Sequence, residues 1–537
     1  MCTSLVKSIT KDYDVYLKDE SRKTGNAESI SFPESEKDII NIIKSFGERK
    51  IRITIQGART GLTGGAVPEE GHILSLEKMN AITGLRYDED DDSFILHVQP
   101  GMLLADIRKA VCKKDLDTSG WSNQSLEALE KMKEQTGYFF PPDPTETTAS
   151  IGGMVACNAS GARSFFYGPT RNYIDGLHII LSDGSKIYVK RGLHKAYGYK
   201  FSLTADTGRV IQGRLPQYVM PEVKNASGYY VKQNMDLIDV FIGSEGTLGI
   251  ISEIELKLLK KPEFTWGVVF FFQQEKDALQ FVKTLREDST DPDGTNIKPV
   301  AIEYFNSNAL ELLRRQKEKG NTFSSIPRIN EAYNTAIYIE FDEILEEDMI
   351  NSMIEAARRA GYCGGSEDDT WVAVTPQLMD RMKLFRHAVP EAVNLMVDQR
   401  RGKNPDITKL GTDMAVPDEK LQEIVNMYNV DLLQQKFESV MFGHIGNNHI
   451  HVNILPESMD EYVKAKQLYK KWAGKVLEAG GTVSAEHGIG KLKMEFLEMM
   501  YGQEGIREMA EVRAVFDPDN ILNSGNLFRI RQKGLSY

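Results

Sequence analysis

Four of the chain's nine histidines fall in two short late segments, Gly443-His-Ile-Gly-Asn-Asn-His-Ile-His-Val-Asn453 and Ser484-Ala-Glu-His-Gly-Ile-Gly-Lys491. Imidazole changes charge near neutrality, and its bare nitrogen binds borderline metal ions, so the clustering points to a metal or acid–base centre. A lone histidine more often caps or packs a turn. In the first segment the two-residue strand period sends His449, His451 and Asn453 to one face and Ile450, Val452 and Ile454 to the other. An unbroken strand would leave His444 on the wrong face, but the turn Gly446-Asn447-Asn448 interrupts the period and lets His444 and His451 converge. Glu486 or His487 can reach the same point from the second segment. Two imidazoles and a carboxylate suit zinc or manganese with a position left open for substrate. His487, next to Glu486, cannot share that ion with good geometry and is the better general base. Arg386, in Lys383-Leu-Phe-Arg-His-Ala-Val, offers a planar fork for a carboxylate, although arginines on helix surfaces are more often solvated. Arg401, Lys403 and Lys409 rim the same region, and Asp413 is expected to orient one of these cations.

A second chemical signal lies early in the chain. Ile55-Gln-Gly-Ala-Arg-Thr-Gly-Leu-Thr-Gly-Gly-Ala-Val-Pro68 is a glycine-dense loop directly after the apolar run 51–55. Gly57, Gly61, Gly64 and Gly65 let the backbone turn several N–H groups toward one anion, and Arg59, Thr60 and Thr63 add donors. A similar loop follows at 147–161, with Gly152, Gly153 and Gly161, behind the stiff approach Tyr138-Phe-Phe-Pro-Pro-Asp-Pro144. Neither the P-loop nor the Rossmann glycine pattern fits.

The elements that must carry these loops are legible in outline. Ser35 to Asp38 reads as a capping box ahead of a helix with Ile39, Ile42, Ile43 and Phe46 on its apolar face. Strands are expected at 51–55, 73–76 and 94–98, a helix over 103–111, and a hairpin of 175–181 with 186–190 around Asp183-Gly184. Residues 1–30 read as helix and coil, and 117–135 as a polar surface excursion long enough to serve in docking. After 254–258 the texture changes: strands at 267–272, 300–304 and 335–341 and a helix at 275–285 predict an antiparallel sheet backed by helices. Leu468, Trp472 and Val476 mark a helix over 462–479 that stops at Gly480-Gly481.

At 537 residues the chain is large enough for two or more domains, and its net charge of -12 carries no basic stripe for nucleic acid. The four cysteines lack any CxxC spacing, which excludes an iron–sulfur cluster and a disulfide framework. No signal-peptide core and no transmembrane segment are apparent, so a cytoplasmic protein is expected, with peripheral attachment at the inner membrane face left open.

Over most of its length the chain resembles the vanillyl-alcohol oxidase flavoprotein superfamily, and within it the FAD-linked D-2-hydroxyacid dehydrogenases that act on D-lactate, D-2-hydroxyglutarate or glycolate. The resemblance rests on Thr60-Gly-Leu-Thr-Gly-Gly65, Pro141-Pro-Asp-Pro144, Ile151-Gly-Gly153, Asn158-Ala-Ser-Gly161, Gly243-Ser-Glu-Gly-Thr-Leu-Gly249, the His444 to His451 stretch and Glu486-His-Gly-Ile-Gly490. It implies an α+β fold: a PCMH-type FAD-binding domain of two subdomains over 1–261, an α+β cap domain with an antiparallel sheet over 262–505, and a segment 506–537 that returns to the flavin side. It implies FAD held at Gly57, Arg59, Thr60, Gly61, Leu62, Thr63, Gly64 and Gly65, near the ring at Pro142, Ser150, Gly152, Gly153, Asn158 and Gly161, and along Glu245, Gly246, Gly249, Ile250 and Asn523. It further implies a divalent metal (zinc, manganese or iron) on His444, His451 and Glu486, with His487 as base and Arg386 as carboxylate anchor. Reduced flavin would then pass electrons to a quinone, an electron-transfer flavoprotein or another redox subunit, and a homodimer is compatible with the pattern. An alcohol or lactone oxidase, or a non-catalytic FAD-binding subunit, are the competing expectations. Three features depart from the family: Asn447-Asn448-His449 replaces the usual Asp-Gly-Asn, His387 replaces a common glutamate, and 117–135 is long.

Overall fold

In the computed structural model, which describes residues 5–287, 296–320, 322–366 and 368–530, three main sheets organise the chain. The first has four strands in the order Val6–Ser8, Ser29–Ser31, His72–Ser75, Ile53–Gln56. Its outer pair is antiparallel and the remaining pairings are parallel. The helix Glu36–Gly47 makes the crossover and buries Ile39, Ile42, Ile43 and Phe46 against Ile53 and Leu74. Ser35 accepts the Asp38 N–H as expected, while the Asp38 carboxylate reaches the Glu34 N–H. The two strands within the first 31 residues, Val6–Ser8 at the edge and Ser29–Ser31 inside the sheet, depart from the expected helix and coil, because three-residue strands are too short to show alternation. What matters for the site is that Ile53–Gln56 ends directly at Gly57.

The second sheet is antiparallel, in the order Ile82–Asp88, Ser93–Val98, Ile250–Lys260, Ile174–Ile180, Lys186–Lys190, with Tyr138–Phe139 also pairing to Ile250–Lys260. The polar stretch 117–135 is no loop. It forms the helix Asn123–Glu134, capped by Ser122, whose Ala128, Leu129 and Met132 are buried in the same core as Leu85 of the sheet. Its five lysines and glutamates face water and hid a narrow apolar stripe from a composition-based reading.

The third sheet is antiparallel and eight-stranded. Its strand Phe264–Phe272 is apolar apart from Thr265, and from Gly267 onward it is buried on both faces. Val268, Phe270 and Phe272 share a core with the helices Glu275–Arg286 and Glu346–Tyr362, and Val269 and Phe271 share another with Ser307–Glu318 and Pro376–Arg401. The far side of this sheet carries Ser439–Gly443 beside His449–Ile454. The helix Met494–Phe516 runs through residue 505 with a break at Gly502, where φ is +67°. The chain then returns to the first sheet: Ile53 N–H donates to the Ile521 carbonyl at 2.7 Å and Asn523 Oδ1 accepts the Ile55 N–H at 2.7 Å.

Candidate functional site

A crevice opens between the first two sheets. Its walls are the loop after Gln56, the N-terminus of the helix Ile151–Cys157, the turn from Glu245 to Ile250, and Asn523; Glu486 and His487 close one end. Ser150 caps the short helix by accepting the Gly153 N–H and also accepts the Ala58 N–H, each at 3.3 Å, tying the two glycine loops together. A Cβ on Gly57 would fall 2.1 Å from Ser150 Oγ, so only glycine permits that closure. Among the described residues, the N–H groups of Arg59 through Gly65 donate to nothing within the chain. With the hydroxyl of Ser160 also buried and unpartnered, this is a donor-rich cradle that fits the pyrophosphate of a dinucleotide. Most residues expected to hold FAD line this crevice; Gly64, Pro142, Asn158 and Gly161 stand off its wall. Of these, Pro142 offers its carbonyl to Arg108, and Asn158 takes the Arg171 N–H on its side chain.

At the closed end the two histidine segments meet around Glu486. Its Oε2 lies 3.4 Å from His444 Nε2 and 3.8 Å from His449 Nδ1, and its Oε1 lies 3.4 Å from both His451 Nε2 and His487 Nε2. The turn Ile445–Asn447, closed by Asn448 at φ +53°, is what turns His444 back toward the strand. Each imidazole is steadied from behind. His444 Nδ1 sits 2.6 Å from Glu303 Oε1, His451 Nδ1 donates to the Thr412 carbonyl at 2.9 Å, and His449 Nε2 lies 3.0 Å from Asp413 Oδ1, off the line of a hydrogen bond. Such outer acceptors fix the tautomers, so Nε2 of His444 and His451 and Nδ1 of His449 face inward. These three nitrogens and the Glu486 carboxylate lie within 4.8 Å of one another.

Electrostatics match the geometry. Burial opposes a charge on His444, but Glu303 and Glu486 outweigh it and lift the imidazole to about 9. Burial, then His451, holds His449 well below its ordinary value, and burial lowers His451. Burial disfavours the Glu486 carboxylate, yet Lys224 and His444 more than compensate and keep it ionised. His449 and His451 are thus neutral beside an ionised Glu486, while His444 carries a proton that a divalent ion would have to replace; with that exchange the donor set fits such an ion.

Two carboxylates build the frame. Asp413 is fully buried and accepts from Ser484 Oγ at 2.5 Å, the Glu486 N–H at 3.2 Å, the His487 N–H at 3.0 Å and Lys493 Nζ at 2.7 Å. The cation it orients is therefore Lys493, and not Arg401, Lys403 or Lys409. Glu245 accepts the Ile489 and Gly490 N–H groups at 2.6 and 2.8 Å; burial pushes its carboxyl up to about 7 against those donors.

Arg386 is 8% exposed on the inner face of Pro376–Arg401. Its Nη2 lies 3.4 Å from Asp143 Oδ2 and 2.8 Å from His387 Nε2, its Nη1 lies 3.9 Å from Glu340 Oε1, and Nη1 is buried without a hydrogen bond. Burial, then Arg386 itself, drives His387 down to about 4, so this unusual neighbour is a neutral acceptor. Asp143 also binds Arg108 at 2.9 Å, and Glu340 binds Arg163 at 2.7 Å, so Arg386 closes an ion network between the Pro-rich approach and the third sheet.

Sequence reasoning missed Lys224, Glu303 and Lys493. Lys224 Nζ donates to Glu486 Oε2 at 2.6 Å and lies 3.4 Å from His449 Nδ1. A lysine in the polar stretch 219–234 carries no local signal of such burial; Glu303, a lone acid inside the apolar strand Ala301–Phe305, could have been noticed.

Residues 261–527 match the family described as FAD linked oxidases, C-terminal domain, and residues 27–120 with 124–189 match the FAD binding domain. The chain is 29% identical to a D-lactate dehydrogenase of Anaerostipes hadrus over 92% of this chain and 88% of that protein. It is 28% identical to the glycolate oxidase subunit GlcD of Bacillus subtilis (93% and 89% covered). With a D-2-hydroxyglutarate dehydrogenase of Stutzerimonas stutzeri the identity is 27% (96% and 94% covered). Among solved structures, alkyldihydroxyacetonephosphate synthase superposes with a TM-score of 0.61 at 13% identity, covering 97% of this chain and 82% of that one, a likeness of fold.

Proposed function

We infer the reaction from a plain fact of membership: this chain belongs to the FAD-linked oxidases, in their D-2-hydroxyacid branch, and is an FAD-dependent oxidoreductase. Its substrate is a D-2-hydroxyacid, D-lactate or D-2-hydroxyglutarate, oxidised to the 2-oxoacid. The observation that carries this reading is the meeting of His444, His451, Glu486 and His487 at one end of the glycine-lined crevice.

When bound, FAD supplies a hydride acceptor and a divalent ion supplies Lewis acidity toward the substrate hydroxyl. The chain's residues do the rest. Arg386 receives the carboxylate on its free Nη1 side, and the neutral His387 leaves that charge undiminished. Asp413 Oδ2 lies 3.5 Å from His487 Nδ1, and with Glu486, 3.4 Å from Nε2, engaged by the ion, the proton would rest on Nδ1 and Nε2 would take the hydroxyl proton as the α-hydrogen departs. His444, His451 and Glu486 would hold the ion. The division proposed is 1–261 for the FAD-binding domain, 262–505 for the cap domain and 506–537 for the returning segment, although the helix Met494–Phe516 continues across the last of these boundaries.

The four cysteines cannot build a relay cluster, so electrons leave reduced flavin for a quinone, an electron-transfer flavoprotein or another redox subunit. Among the described residues no helix is long and apolar enough to cross a membrane; a cytoplasmic protein, or one held peripherally at the membrane, is the corresponding proposal. Anaerobic bleaching of the purified flavoprotein tests the reaction. D-enantiomers should bleach the flavin and L-enantiomers should not; flavin left oxidised by D-lactate, D-2-hydroxyglutarate, D-malate and glycolate alike would defeat the reading.

A further inference from the structure

The inward face of the histidine cluster holds one donor more than the reaction above uses, and it already contains a cation. His449 presents Nδ1 to the same carboxylate oxygen, Glu486 Oε2, that faces His444. Its ring is fully buried, 4.4 Å from the His451 ring and 5.4 Å from the His444 ring. The ammonium of Lys224, which can only donate, stands 3.4 Å from Nδ1, so Nδ1 presents its lone pair to the centre. A positive group stands against two of these donors: the ammonium of Lys224, 6% exposed, at 2.6 Å from Glu486 Oε2 and 3.4 Å from His449 Nδ1.

The four inward donor atoms lie within 4.8 Å of one another, close enough to share one ion. An ion bound among them would compete with the Lys224 ammonium for Glu486 Oε2. Lys224 comes from the irregular stretch 219–234, outside the segments that supply the four donors.

We propose, resting on the metal-assisted reading above, that the ion is held by three imidazoles and one carboxylate, with His449 as the fourth ligand, and that the Lys224 ammonium competes with it for Glu486. The consequence concerns metal identity. Four protein ligands fill a four-coordinate zinc ion and close it to substrate. An ion that accepts six ligands, such as manganese, keeps two positions, the number that the hydroxyl and carboxylate oxygens of a 2-hydroxyacid need.

The test is a calorimetric titration of metal-stripped, FAD-loaded protein with manganese chloride alone, on wild type, His449→Leu and Lys224→Met. His449→Leu should bind at least about a hundredfold more weakly, since even outer partners of metal ligands are worth 10–100-fold. Lys224→Met should bind roughly tenfold or more tightly, because the seat loses its competing cation and Glu486 loses its buried partner. X-ray absorption on the wild-type manganese form should count three imidazoles, a readout independent of how His449→Leu folds. Equal affinities in wild type and His449→Leu, or two imidazoles at the ion, would overturn the fourth ligand while leaving the metal-assisted reading intact. Unchanged or weaker binding by Lys224→Met would overturn the competition for Glu486. Wild-type protein that binds no manganese or zinc would end both.

Discussion

Lys493 Nζ donates to Asp413 Oδ2 at 2.7 Å inside the protein, and this pair anchors the loop that bears Glu486 and His487. The carboxylate simultaneously takes the two backbone N–H groups of that loop. Asp413→Ala would leave a buried ammonium and two buried donors unmet, a loss of about 3–5 kcal/mol by the usual cost of breaking a buried pair. The urea midpoint of the FAD-loaded protein should fall accordingly, and Asp413→Asn should fall less because its amide oxygen still accepts. A midpoint unmoved by Asp413→Ala would mean that the loop is held by other contacts.

The crevice makes a steric prediction. Gly57→Ala places a methyl 2.1 Å from Ser150 Oγ and forces apart the two loops that form the cradle. The variant should purify with little FAD and rebind it at least about tenfold more weakly, equivalent to ~1.4 kcal/mol. Gly192→Ala, with open space around its Cβ but φ at +80°, serves as the control: it strains the chain without touching the crevice. Its flavin content should be normal.

Much of this arrangement could be read in the residues beforehand, and the exceptions share a cause. The helix Met459–Glu478 and the strand His449–Ile454 have long or clean periodic patterns and stand where periodicity puts them. The convergence of His444 and His451 followed from the broken period at Gly446-Asn447-Asn448. The helix Asn123–Glu134 was hidden by its charged face, and the edge strand Val6–Ser8 by its length. Lys224 and Lys493 were hidden because burial of a lysine depends on a carboxylate that lies 262 residues away in one case and 80 in the other. No local spacing encodes that partner.

Arg386→Lys keeps the charge but removes the fork. A lysine cannot span Asp143, His387 and a substrate carboxylate together, so the half-saturating substrate concentration should rise about ten- to a hundredfold, the range of one charge-assisted hydrogen bond of ~1.5–3 kcal/mol. Flavin content should stay constant. A loss confined to the maximal rate would argue against a role in holding the carboxylate.

His72 gives the fold a defined acid response. It is fully buried between Ser29 Oγ and Ser31 Oγ, at 2.9 and 2.8 Å, and stacks on Phe46; burial drives it from 6.5 down to about 3. The unfolded chain binds a proton below 6.5 that the folded chain refuses until about 3. Stability from this site is therefore complete above pH 6.5 and declines as pH falls through that window toward 3. His72→Gln should flatten the fall of thermal midpoint between pH 6.5 and 4; an identical slope in the variant would assign the acid response elsewhere.

The central claim is that His487 and the donor cluster act on a substrate lying against the flavin. Anaerobic stopped-flow reduction of the FAD by D-lactate, by its 2-deuterated form and by the same pair with His487→Asn, tests it most directly. The account predicts slower bleaching with deuterium in the wild type, and a loss of about 10²–10⁴ in rate in the variant with FAD fully retained. Bleaching that is indifferent to deuterium and to His487→Asn would contradict it.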